Sequence, residues 1–523
     1  MDTKPWTTKL LTLDKRIKAF TQGYRQNIAL LGSDSQELSY LLKNYLGSKR
    51  YEELTCIHAT TAYVGKKEFF KSVAFSLLSS YTRKQDSLDN LINCACPILP
   101  STTDFIKICL GKKNLSFLDS LEVINKFINE SNRRCVLIIE EFLGLKDLFK
   151  NFYHDFSKFI ILQRNCMLVL TSSYAKGAQK VLATELNLLF GNFEKVLLTE
   201  NTFLNNFLYL KGKLGTIRPS PFFLSFFINT VGSNIAYYDL MAETIKKSYR
   251  PEDEEATILD IVEESLYLNE TYFFQKFIKK IDLTKFNFKD SNSIIKLLLA
   301  LSDGYLRKSE LVSLGIYDSK ELASRLQKLC DLNYVQNFGN IYKIKDSLFS
   351  FWLATVFKLY FSSPIFDPQQ QKKLYRKNLI EAISLFKEEF FKDKLKKVLQ
   401  LISSFKNDTL YLGKNKYRLP SIERAKIISD HKKDFHLLIG EGKEIIFAGI
   451  KERDTQENDI FEFIEKGANI KGKGVKKIFI SLNGLPPTAR LIAKNNKLII
   501  WDVNEINRLL KIYNKPIVSC LVE

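Results

Sequence analysis

Two stretches hold residues that could do chemistry on a nucleotide, residues 32–39 and 134–141. In the first, the apolar run Ile28-Ala29-Leu30-Leu31 stops at Gly32, and after a polar turn Leu38, Leu41, Leu42 and Leu46 recur at helical spacing. Strand, turn, helix is the layout of a phosphate-binding loop. There glycines let backbone N–H groups surround phosphates, a Lys meets the β/γ-phosphates and a Ser/Thr hydroxyl holds Mg2+. Set against G-x-x-x-x-G-K-[ST], the chain reads Gly32-Ser33-Asp34-Ser35-Gln36-Glu37-Leu38-Ser39. Gly32 and Ser39 stand in place and are the nucleotide-binding candidates. Glu37 replaces the second Gly and Leu38 replaces the Lys. Asp34 and Glu37 would set carboxylates against a triphosphate, at a cost in like-charge repulsion.

The second stretch, Arg134-Cys135-Val136-Leu137-Ile138-Ile139-Glu140-Glu141, is a buried apolar strand ending in two acids. In an NTPase the first acid holds Mg2+ through water and the second polarises the attacking water. Glu140 and Glu141 are the catalytic candidates if the site works. A third apolar strand, Met167-Leu168-Val169-Leu170, runs into the hydroxyls Thr171-Ser172-Ser173, where a γ-phosphate sensor would stand; Leu54-Thr55-Cys56-Ile57-His58-Ala59 and Val196-Leu197-Leu198 read as further strands. Strands alternating with helices and apolar throughout imply a parallel α/β sheet. ATP and Mg2+ are the cofactors a working loop would take. With the signature incomplete, none is expected as certain.

These motifs must be carried by several domains, since 523 residues exceed one core. The 78 basic against 58 acidic residues give a formal charge of +20, which suits a polyanion such as nucleic acid, although a lysine-rich solvated surface gives the same balance. The eight cysteines, among them Cys94-x-Cys96 and Cys520, form neither C-x-x-C pairs nor zinc spacing and read as reduced and structural. No metal site is expected, and His58 reads as a structural histidine. The start MDTKPWTTKL lacks a signal-peptide core and no apolar run is long enough to span a bilayer, so the expectation is a cytoplasmic protein with no membrane partner.

Residues 286–360 read most clearly. Ile294 to Leu301 form a helix that stops at Asp303-Gly304, Lys308 to Leu314 form a second, and Asp318 caps a third over 320–329. A hairpin follows, 334–336 and 341–344 around Asn337-Phe338-Gly339-Asn340. Three helices and a hairpin make a winged helix-turn-helix, whose third helix enters the major groove of duplex DNA. Lys320, Ser324, Arg325, Gln327 and Lys328 are its candidate contacts, with Arg307, Lys308, Asn340 and Lys343 for the sugar-phosphate backbone. The competing use of such a module is packing against protein partners or a second copy of the chain.

The element order of the first 200 residues, with Thr230-Val231-Gly232-Ser233-Asn234 leading into Tyr237-Tyr238-Asp239-Leu240, resembles the archaeal-type AAA+/STAND P-loop ATPases. Part of that family carries a winged helix and a restriction-endonuclease-like domain. The run 435–501 is similar to a PD-(D/E)XK nuclease core, which needs an acid on one strand and acid-x-Lys on the next. His436 falls at the first acid, with Asp434 nearby, and Gly449-Ile450-Lys451 stands for Glu-x-Lys, so only Lys451 survives. Asp434 and Glu389 are the substitute ligands on offer. The resemblance implies a multidomain α/β and α protein: a P-loop ATPase-like parallel-sheet domain over 1–200, a helical lid over 201–285, a winged helix over 286–360, a helical connector over 361–409 and a nuclease-like α/β domain over 410–523. The expectation is a DNA-binding protein whose hydrolysis and nuclease sites have both decayed. An ATP-dependent enzyme on DNA and a protein scaffold are the other readings.

Overall fold

The computed structural model describes residues 7–32, 34–47, 53–61, 65–187, 193–198, 203–362, 367–412, 415–430, 435–468, 470 and 474–518. Ser33, Asp434 and Cys520 lie outside the described residues. The chain divides into two compact units, residues 1–201 with 234–236, and 202–233 with 237–523.

In the first unit, β1 (Asn27–Leu31), β2 (Leu54–Thr60), β3 (Arg134–Glu140), β4 (Cys166–Ser172) and β5 (Phe193–Leu197) form one sheet in the order β2-β3-β4-β1-β5. Every pairing is parallel. Every residue of β1 and β4 is buried, which is why these strands read as unbroken apolar runs and do not alternate. The helices Lys66–Thr82, Phe117–Ser131 and Phe152–Leu162 bury Phe69, Phe117, Phe152 and Phe156 in the core of this unit. Two further helices, Leu88–Ala95 and Pro100–Gly111, lie between the first two of these and bury Leu91, Ile92, Ile106 and Cys109. With β1 beside β4 and β3 beyond it, the carboxyl ends of all three strands meet along one edge. Open α/β sheets bind ligands at such an edge.

The second unit begins with an aromatic helical core in which Phe223, Phe227, Tyr238, Phe277 and Trp352 are all buried. The acidic run 252–255 starts a helix: Asp253 Oδ1 accepts from Ala256 N at 2.9 Å, ahead of Glu254–Val262. The helices Ser291–Ser302, Lys308–Ser313 and Ser319–Asp331 precede the antiparallel pair β6 (Val335–Asn337) and β7 (Tyr342–Ile344). After the helices Pro368–Phe391 and Lys394–Ser403 comes a hairpin, β8 (Asp408–Leu412) and β9 (Asn415–Leu419). A second five-stranded sheet then runs in chain order through β10 (Ile422–Asp430), β11 (Phe435–Gly442), β12 (Ile446–Lys451), β13 (Lys476–Ser481) and β14 (Ile499–Trp501). It is antiparallel from β10 to β12 and parallel from β12 to β14, because helices Glu457–Ala468 and Pro487–Asn495 cross over between the last strands.

A polar seam joins the β6–β7 segment to this C-terminal part. Arg307 (8% exposed) grips Asp408 (1% exposed) through two parallel bonds, Nε to Oδ1 at 2.7 Å and Nη2 to Oδ2 at 2.8 Å. Tyr513 Oη donates to Asp408 Oδ2 at 2.7 Å, and Arg307 Nη1 reaches Glu310 at 2.8 Å. The tip of the β6–β7 hairpin pairs with β8: Tyr411 N donates to Phe338 O at 2.8 Å and Asn340 N to Thr409 O at 3.1 Å. Gly339, at φ +121°, is needed for that approach, because a Cβ there would stand 2.0 Å from Thr409 O.

Candidate functional site

At the carboxyl edge of the first sheet, Gly32 N donates to Ser172 O at 3.1 Å, tying the turn after β1 to β4. Asp34 then takes the amides that open the helix Ser35–Gly47. Its Oδ1 accepts from Glu37 N at 2.8 Å and its carbonyl from Leu38 N at 3.2 Å. Asp34 with Glu37 three residues on is a helix-start pattern, and a carboxylate at a helix N-terminus is favoured by the free N–H groups there. Glu37 is itself buried, its Oε1 3.3 Å from Ile235 N. Leu38, in the place of the loop lysine, is 1% exposed and packs over Gly32, where an added Cβ would lie 3.1 Å from Leu38 Cδ2.

The structure brings Ser39 and Glu140 together. Burial works against the Glu140 charge, yet the hydrogen bond and charge of His58, the Ser39 hydroxyl and the Lys43 charge hold its carboxyl below the usual range. His58 Nε2 lies 2.7 Å from Glu140 Oε1. That contact follows from the β2–β3 pairing, which sets Thr60 opposite Glu140 and which the sequence does not reveal.

Glu141 is in the left-handed region at φ 52°, a conformation that costs a non-glycine residue about 1–2 kcal/mol. Its carboxylate accepts from Ser173 N at 2.7 Å and Ser173 Oγ at 3.1 Å. The hydroxyl placed for a γ-phosphate sensor is thus hydrogen-bonded to the second acid. Burial raises the Glu141 carboxyl to about 7; the Ser173 bonds oppose this and the charges of Glu140 and Asp34 add to it. Its environment and that of Glu140 push two neighbouring carboxyls in opposite directions.

A folded-state pKa above the unfolded one favours the protonated form on folding. Glu141 therefore contributes stability below about pH 4.5, and that contribution is lost as pH rises toward 7. Glu141→Gln is expected to remove this slope: in thermal melts of the full chain from pH 5 to 8, the wild-type midpoint falls relative to that of the variant. Parallel pH profiles would contradict it. Glu140 acts with the opposite sign, its stability being present at neutral pH and lost in acid.

In the C-terminal sheet, Lys451 closes β12 and pairs with Asp459 at 3.1 Å, both side chains 14% exposed. His436 Nε2 is 3.1 Å from Glu452. Gly449, where the nuclease resemblance expects an acid, has no space for a side chain, since a Cβ would stand 2.7 Å from Phe463 and 3.0 Å from Phe435. Glu389 pairs with Lys392, away from this strand pair in the sequence and at the end of its own helix. Among the described residues no group of three or more His, Cys, Asp or Glu is placed to hold a metal. Among them, too, no helix is long and apolar enough to cross a membrane.

On the helix Ser319–Asp331, Leu322, Leu326 and Leu329 face the core, while Lys320, Ser324, Gln327 and Lys328 are exposed. Lys328 Nζ donates to Asn287 O at 2.6 Å and lies 4.4 Å from the Phe288 ring centroid. Arg325 is half-buried, with Nε 3.0 Å from Asp290. The four candidates for the sugar-phosphate backbone are placed differently. Arg307 belongs to the buried seam; Asn340 donates its side-chain amide toward Asp408 at 3.4 Å and accepts from Thr409 N at 3.0 Å. Lys343 donates to Lys511 O, and Lys308 is half-exposed at the start of its helix.

No family model and no curated protein matches this chain. Among solved structures it is similar to a Walker-type ATPase of Pyrococcus abyssi, at 16% identity and a TM-score of 0.46 over 66% of this chain and 95% of that one. It is similar to the ORC2 protein of Aeropyrum pernix in ADPNP–ADP complexes, at 9% identity and a TM-score of 0.41 over 72% and 93% of the two chains. The A. pernix ORC1 protein in complex with DNA matches at 10% identity and a TM-score of 0.36 over 67% and 92%. At these values the matches transfer no residue's role to this chain.

Proposed function

We propose that this chain is a duplex-DNA-binding protein built on a P-loop-type ATPase scaffold, with a nucleotide turn and a nuclease-like strand pair that both lack working chemistry. The observation that carries it is the turn itself: the amides of Glu37 and Leu38, which would meet phosphate oxygens, bond to Asp34. Leu38 is a core residue, so the turn offers no cation there, and a triphosphate does not fit these groups. Gly449 packed on two rings supports the same reading for the nuclease-like strands.

DNA binding is supported by the formal charge of +20 and by the exposed row Lys320, Ser324, Gln327 and Lys328. A helix offering short polar groups between lysines can read base edges while its cations meet phosphate. The double variant Lys320→Ala, Lys328→Ala is expected to weaken binding to every duplex alike and to lower the salt slope by about one per lysine. Gln327→Ala is expected to reduce discrimination between sequences by about 1–3 kcal/mol. Anisotropy titrations of labelled duplexes across a salt series measure both, and a flat salt response in the wild type would remove the proposal.

One observation favours a second reading, a working NTPase: the Ser39 hydroxyl reaches Glu140, as a Mg2+-holding pair would require. It predicts ATP turnover abolished by Glu141→Gln, and the absence of nucleotide binding in calorimetry would end it.

A further inference from the structure

The hairpin β8–β9 presents one of its faces to solvent. Its inward residues Asp408, Leu410, Leu412 and Leu419 are buried, whereas Tyr411 is 50% exposed and Lys416 and Arg418 are exposed. Cross-strand pairing sets Tyr411 opposite Lys416 and Thr409 opposite Arg418, and alternation puts all four on one face. Lys416 Nζ lies 5.7 Å from the Tyr411 ring centroid. Asp408 is the one acid among the described residues of the hairpin, and it turns inward to Arg307 and Tyr513. The outer face is therefore cationic, with no carboxylate of its own to neutralise it.

Its position matters as much as its charge. The outer edge of β8 bonds to the tip of the β6–β7 hairpin through Phe338 and Asn340, so β8–β9 continues that hairpin outward. Lys476 Nζ donates to Arg418 O at 2.9 Å and fixes the far strand to the start of β13. Arg307, Asn340 and Lys343, expected on the DNA backbone, instead hold this seam together. The cationic surface next along the same run of strands is that of β8–β9.

We infer that β8–β9 is the backbone clamp of this protein: Lys416 and Arg418, beside Tyr411, bind the sugar-phosphate backbone of duplex DNA flanking the groove entered by the helix Ser319–Asp331. The inference rests on the DNA-binding reading above. Charge complementarity selects the occupant, because two cations and a hydrogen-bonding aromatic without a carboxylate match phosphate oxygens. A single strand, by contrast, would bind chiefly by stacking bases on Tyr411.

The test uses the full chain, a labelled duplex and a labelled single strand of the same sequence, titrated by anisotropy from low to moderate salt. Lys416→Ala with Arg418→Ala is expected to lower the slope of log K against log salt by about 1.8, roughly 0.9 for each phosphate no longer neutralised. The charge-keeping pair Lys416→Arg, Arg418→Lys is expected to leave the slope at the wild-type value. An unchanged slope in the alanine pair, while Lys320→Ala with Lys328→Ala still lowers it, overturns the clamp and leaves the DNA-binding reading standing. Loss of single-strand binding with duplex binding intact reassigns the face and overturns the proposal, as does an equal loss in the charge-keeping pair. A wild type that binds no duplex overturns both readings together.

Discussion

Replacing Asp408 with alanine is expected to destabilise the second unit by about 3–5 kcal/mol, the scale for removing one partner of a buried ion pair. The magnitude comes from what remains. Arg307 keeps its charge at 8% exposure and is left with Glu310 and the Ser404 carbonyl once its two bonds to Asp408 are gone. Tyr513, 7% exposed, is deprived of the acceptor of its hydroxyl, and the amides of Lys406 and Asn340 of theirs. Burial opposes the Asp408 charge, but the bonds from Arg307, Tyr513 and Lys406 and the Arg307 charge hold its carboxyl below the usual range. A depressed acid stabilises the fold above its unfolded pKa and loses that contribution as pH falls through the folded value. The wild type should therefore lose stability in acid more steeply than Asp408→Ala. Chemical denaturation at pH 7 and at pH 4 measures both effects; a loss under about 1 kcal/mol at pH 7 would mean that the seam is solvated.

The second large effect concerns Leu38. A residue that meets phosphate can be shortened with little cost to the fold, whereas a core leucine cannot. At 1% exposure, Leu38→Ala is expected to cost about 2–5 kcal/mol. Leu38→Lys restores the letter of the loop motif but puts an ammonium among Gly32 and its neighbours. It is expected to destabilise the first unit at least as much while gaining no nucleotide affinity. Thermal melts with and without Mg2+-ATP decide the point. A stable Leu38→Lys protein with a nucleotide-dependent rise in Tm would show that the turn is still a phosphate site.

Much of this is legible in the amino-acid sequence, and what is not has physical causes. The unbroken apolar runs 28–31, 135–139 and 167–170 signal parallel strands because burial on both faces leaves no alternation to misread. The stripe Leu38, Leu41, Leu42 already marks position 38 as core. Asp34-x-x-Glu37 is a helix-start pattern, so the carboxylate that takes the turn's amides is visible too, although its charge alone suggests only repulsion of phosphate. Long-range pairing is not visible. Arg307 and Asp408 are 101 residues apart and meet through the hairpin seam, so Arg307 reads as a surface cation. Asn337-Phe338-Gly339-Asn340 reads as an ordinary turn, because a strand that docks on its tip leaves no mark in the turn itself. Likewise His58 looks solitary until strand order puts β2 beside β3.

The most direct measurement is a titration of duplex DNA into the full chain over a salt series, with and without Mg2+-ATP, while released phosphate is followed in the same samples. Gripping DNA without fuel predicts a log K that falls linearly with log salt, coincident curves in both conditions and no phosphate release. Binding that needs ATP, or phosphate released in step with bound duplex and abolished in Glu141→Gln, would contradict it.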